Sequence, residues 1–86
     1  MPISYVMINS NLGTDDKIIE KIKEIMLTQD DVKFEIQGVY GVYDIILKLS
    51  SDNSEKLSSI VKNDIRKIQN IQSTLTMMVI EQQEKS

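Results

Sequence analysis

The sequence predicts a single α+β domain of order βαββαβ, and three observations carry that prediction. Four short segments are rich in β-branched, aromatic and other apolar residues, as strands are. Two longer segments carry apolar residues at helical spacing, one between the first and second strands and one between the third and fourth. At 86 residues the chain has room for one domain and not for two.

Residues 3–9 form the first expected strand, and Asn11-Leu12-Gly13 then breaks the chain. Thr14 is the expected N-cap of a first helix, with Asp15 and Asp16 beside the positive end of its dipole. Ile18, Ile19, Ile22, Ile25 and Met26 give one apolar face over residues 15–27, opposite Glu20, Lys21, Lys23 and Glu24. Val32, Phe34, Ile36, Gly38 and Tyr40 alternate with Lys33, Glu35 and Gln37, the pattern of a half-buried second strand. Gly41 supplies the turn into a third strand over residues 43–49, so these two strands form an antiparallel hairpin. Asp52 and Glu55 have the spacing of a capping box at the start of a second helix. Leu57, Ile60, Val61, Ile65 and Ile68 form its apolar stripe, and Asn70 ends it. Residues 72–80 give the last strand. The domain is expected to span residues 1–81, followed by a flexible polar tail at 82–86. This order is the ferredoxin-like, split-βαβ arrangement, in which two helices cover one face of a four-stranded antiparallel sheet.

The other face of such a sheet meets water, so its strands should alternate cleanly between apolar and polar. Only the second strand does. The first carries Ile3, Tyr5 and Met7 on one side and Val6 and Ile8 on the other; the third sets Tyr43, Ile45, Leu47 and Leu49 against Ile46. The fourth sets Leu75, Met77 and Val79 against Met78 and Ile80. Which set faces the helices is open at this level. The surplus includes Val6, Ile8, Ile46, Met78 and Ile80, and these are the residues expected to pack sheet to sheet against a second copy. With no cysteine and no histidine, the chain has neither disulfides nor the usual transition-metal ligands to reinforce a small core. Self-association is the remaining remedy.

The same composition narrows function. Cys–His and Ser–His nucleophilic arrangements cannot be built, and no constellation of Tyr, Asp and Glu points to an enzyme. Gly13, Gly38 and Gly41 fit neither glycine-rich phosphate fingerprint. Asp15-Asp16 and Asp30-Asp31 read as a helix-dipole partner and a solvated turn, so no metal or other cofactor is expected. The net charge of −3, with lysines and carboxylates alternating along the helices, argues against direct nucleic-acid binding. Neither a signal peptide nor a membrane-spanning run is present, and a cytoplasmic location is expected.

The strongest local signal is the run from Val39 to Leu49, Val-Tyr-Gly-Val-Tyr-Asp-Ile-Ile-Leu-Lys-Leu. It resembles the glycine–x–tyrosine–aspartate hairpin of the ligand-sensing, RAM-type domain of the Lrp/AsnC transcription regulators. Asn9-Ser10-Asn11-Leu12-Gly13 is similar to that domain's passage from first strand to first helix. The stretch from Ile65 to Ile80 is similar to its closing segment, including Ser73-Thr74-Leu75-Thr76. The resemblance spans residues 3–81 and omits the family's N-terminal helix-turn-helix domain, so it implies a stand-alone sensor. It further implies sheet-to-sheet homodimers that assemble into larger rings, often octamers in the family, with a free amino acid held between dimers. Gly41, Tyr43 and Asp44 would line that ligand site, with Thr74 and Thr76 contributed by a neighbouring subunit. Asp44 suits an ammonium, and backbone N–H groups near Gly41 suit a carboxylate. The implied role is modulation of transcription through assembly with full-length regulators, or metabolite sensing. Two other readings share the topology: a small dimeric enzyme of the monooxygenase or isomerase type, and a purely structural assembly partner.

Overall fold

A computed structural model describes residues 2–80, in the order β1 (Ile3–Ser10), α1 (Asp15–Leu27), β2 (Lys33–Gly38), β3 (Ile45–Ser50), α2 (Ser54–Ser59) and β4 (Ile71–Met78). α2 continues directly into a π-helical turn over Ile60–Ile65. The first and last residues of the expected 1–81 domain, and the expected tail at 82–86, lie outside the described residues. The sheet order is β2-β3-β1-β4, and each neighbouring pair is antiparallel. The architecture is therefore the ferredoxin-like one, with β1 and β3 central.

Register settles the faces. Val6 lies opposite Leu47 on β3 and Thr76 on β4, while Ile8 lies opposite Ile45 and Thr74. Directly opposed residues share a face. Val6, Ile8, Ile45, Leu47 and Leu49 are each 0% exposed, so theirs is the face beneath the helices. Ile18, Ile22 and Met26 of α1 pack onto it with Leu57, Ile60, Val61 and Ile65 from the second helical segment. Val6 and Ile8, expected at an interface between copies, are thus core residues that no second chain can reach. Met78 pairs with Ser4, so it also lies on the helix side, at the outer strand. Ile80 follows β4 and is fully exposed. Only Ile46, opposite Met7, lies on the open face as expected. The apolar strip there is made instead of Ile3, Tyr5, Met7, Ile46, Leu75 and Met77. Beside it Lys33, Glu35, Gln37 and Lys48 form a polar margin, with Lys48 and Glu35 paired at 3.4 Å.

The helix ends differ from expectation in small ways. The Thr14 hydroxyl donates back to the Asn11 carbonyl at 2.7 Å and makes no cap bond. Asn53, not Asp52, caps α2, its side-chain oxygen accepting from the Lys56 N–H at 3.2 Å. Beyond the π turn, Asn70 takes a left-handed φ of 73°, a conformation asparagine tolerates better than most residues. Its carbonyl accepts from Asn11 N–H at 2.8 Å, which fixes the start of β4 against the end of β1.

Candidate functional site

The connection from β2 to β3 runs through residues 39–44 and is longer than a tight hairpin turn. Asp44 ends it and is held on three sides. Its N–H donates to the Ile8 carbonyl at 3.0 Å, and its own carbonyl accepts from Val39 N–H at 2.8 Å. Its side chain turns toward Ser10, where pairing between β1 and β4 shifts register. There Oδ2 accepts from the Ser10 N–H at 2.8 Å and from the Ser10 hydroxyl at 3.2 Å. The carboxylate thus satisfies a backbone donor at a point where the ladder is irregular. Among the described residues Oδ1 has no hydrogen-bond partner, so half of the carboxylate remains free to accept.

Asp44 and Gly41 together line an open recess of about 660 Å³, shared with Ser10, Gly13, Asp15 and Gln72. Gly13 has a left-handed φ of 77°, which lets the chain fold sharply from β1 into α1 and bring Asp15 to the rim. A Cβ on Gly41 would meet no atom within 4 Å, so open space lies directly over this backbone. Two carboxylates and no basic side chain line the recess. It therefore suits a cationic group. Leu12 and Tyr40, which also line it, are fully exposed, as Val42 nearly is.

The other expected residues fall elsewhere. Tyr43 is half-buried and lines neither this recess nor the groove that holds Thr74 and Thr76. That groove, of about 310 Å³, lies between the π-helical turn and the helix side of β4. Within one chain, then, Gly41 and Asp44 come together, Thr74 and Thr76 come together, and the two pairs open onto different hollows. Sequence reasoning missed Ser10 as the anchor of Asp44. It read Asp15 only as a dipole partner. Among the described residues no group of three His, Cys, Asp or Glu side chains is placed to hold a metal ion. No helix among them is long and apolar enough to cross a membrane.

The profile of the Lrp/AsnC ligand binding domain matches residues 4–86. The chain belongs to this family. A search of curated proteins finds no match. Among solved structures, FFRP-DM1 is 31% identical over 93% of this chain and 100% of its own, with a TM-score of 0.72. A hypothetical protein from Pyrococcus horikoshii is 30% identical over 95% of this chain and 93% of its own, also with a TM-score of 0.72. The transcriptional regulator NMB0573 from Neisseria meningitidis, solved in complex with L-Met, shares the fold at 12% identity and a TM-score of 0.71. It aligns with 99% of this chain, which spans about half (53%) of that regulator. The connection carrying Gly41 and Asp44 lies within the residues matched to the Lrp/AsnC ligand binding domain.

Proposed function

We propose that this chain is an amino-acid-responsive assembly module that works with Lrp/AsnC-type regulators in the cytoplasm. The observation that carries the reading is the half-free carboxylate of Asp44. Ser10 holds Oδ2, Oδ1 has no partner among the described residues, and Asp44 lines a recess that holds a second carboxylate and no basic side chain. An α-ammonium there meets a charge-assisted acceptor, while the bare backbone at Gly41 leaves room for the ligand's carboxylate to approach N–H groups. The L-Met bound to the Neisseria regulator supports the ligand class. Thr74 and Thr76 line a different hollow and would reach such a ligand only from a neighbouring copy, and Tyr43 lies just beyond the lining of the recess, one residue before Asp44. Copies associate through the open face, where Tyr5, Met7, Ile46, Leu75 and Met77 form a strip that a dimer removes from water. The same surface admits a full-length regulator, and paired dimers build larger rings.

The test is a thermal-shift panel of the twenty amino acids on the intact chain. A true ligand at a hundred times its Kd contributes about 2.7 kcal/mol, which raises Tm by roughly 10–20 °C in a domain this size. Silence across the panel removes the amino-acid reading.

A further inference from the structure

We propose that the groove between the π-helical turn and β4 is a second binding site, for a small anionic metabolite bearing carboxylate or phosphate oxygens. The proposal goes beyond the amino-acid reading and stands without it, because the Asp44 recess has the opposite sign. Ser58, Lys62 and Arg66 recur every four residues along the second helical segment and line one wall. Thr74 and Thr76 of β4 line the other. No carboxylate lines the groove, in a chain whose net charge is −3. Among the described residues the salt bridges engage Lys21, Lys48 and Lys56, and neither Lys62 nor Arg66.

A second observation is independent of these charges. Ser4 also lines the groove, is only 1% exposed, and its hydroxyl donates to the sulfur of Met78. A thioether is a weak acceptor. An anionic oxygen in the groove is a better one, so the buried hydroxyl is poised to change partner. The wall itself is unusual: Arg66 N–H bonds the Val61 carbonyl at 3.1 Å, five residues back, and π turns of this kind cluster at functional sites. The guanidinium of Arg66 offers a planar fork that matches carboxylate or phosphate oxygens two at a time. Hydroxyls complete the shell, and Val61 and Met78 give the ligand's carbon body an apolar seat.

The test is an amide NMR titration of the intact chain with succinate and, separately, with inorganic phosphate, each at constant ionic strength. Saturable shifts confined to residues 58–66 and 74–78 are expected with at least one probe. Response to succinate alone identifies a carboxylate ligand, and response to phosphate alone a phosphate ligand. Arg66→Gln is expected to weaken binding at least tenfold, and Thr76→Val severalfold. Lys67→Gln, which removes the same charge from outside the groove, is expected to leave it unchanged. Absence of saturable shifts with both probes overturns the site. So does binding that survives Arg66→Gln, an equal loss in Lys67→Gln, or shifts centred on residues 10–15 and 39–44.

Discussion

Asp44 is assigned two roles, and its two neutral replacements separate them. The structural role is the pair of bonds from Oδ2 to the Ser10 N–H and hydroxyl, at 2.8 and 3.2 Å. Alanine deletes both and leaves a backbone donor at the end of β1 without its acceptor. A hydrogen bond to a charged group contributes about 1.5–3 kcal/mol, and water can replace part of it at this half-exposed position, so a loss of about 1–2 kcal/mol is expected. In a domain of this size that lowers Tm by roughly 4–16 °C. Asparagine keeps an oxygen where Oδ2 was and loses only the charge assistance, so its cost stays below about 1 kcal/mol. The ligand role depends on charge, and both variants lose it. Asp44→Asn is therefore expected to melt within a few degrees of the parent and yet fail to respond to the amino acid, whereas Asp44→Ala loses stability as well. Thermal melts by circular dichroism and calorimetric titration read the two effects apart. Unchanged amino-acid affinity in Asp44→Asn refutes ammonium recognition by this carboxylate, and a parental Tm in Asp44→Ala refutes the anchoring of β1.

Three further outcomes follow from other parts of the fold. Asn53→Ala removes the side-chain cap of α2 and is expected to cost about 1 kcal/mol, or roughly 4–8 °C in Tm; a melt superimposable on the parent would show the cap to be idle. Met7→Glu or Met77→Glu sets a charge within the open apolar strip and is expected to shift sedimentation toward smaller species with the far-ultraviolet spectrum intact; an unaltered sedimentation profile rejects this face as the assembly surface. The hydrogen bond from Lys56 holds the Asp31 carboxyl below its ordinary value of 3.8. A folded value that is depressed means the pair's contribution is present above pH 3.8 and fades as pH falls through the lower folded value. Lys56→Gln should flatten this acid-side decline in stability, and coincident stability–pH curves for the two proteins would disprove the coupling.

How much was legible in the sequence differs from element to element. α1 was read at its observed bounds, because isoleucine spacing and an acidic first turn admit one interpretation. The faces of the sheet were not legible. β1 is apolar on both sides, so alternation carries no information there, and only the pairing of Val6 with Leu47 puts Val6 and Ile8 in the core. β4 misleads in the other direction. Its helix-side residues include Thr74 and Thr76, which the outer position of the strand leaves half-covered or exposed, so polarity there does not report which way a residue points. The second helix kept its expected apolar stripe while concealing the π turn, because Leu57, Val61 and Ile65 are spaced by four and suit an ordinary helix equally well. Asn53 displaced Asp52 as the cap because the chain entered the helix one residue later.

The site was legible where its residues are neighbours in the chain. Gly41 and Asp44 are three residues apart, and any closed connection between β2 and β3 brings them together. Ser10 and Asp15 join them only because β1 pairs with β3 and because Gly13 turns the chain sharply into α1, relations that no spacing rule encodes. Charge was hidden for the same reason. Read along the chain, lysines and carboxylates alternate and average to a mildly acidic, featureless surface. Folding sorts them, bringing Asp15 and Asp44 into one hollow and Lys62 and Arg66 into another. A single chain thus offers two concave surfaces of opposite sign, each beside uncovered apolar side chains: Leu12 and Tyr40 at the first, Met78 at the second. An exposed carboxylate or guanidinium interacts weakly with a ligand because water screens it. Covering those apolar rims with a second copy would exclude that water and strengthen both sites, so ligand binding and assembly would favour each other by linkage.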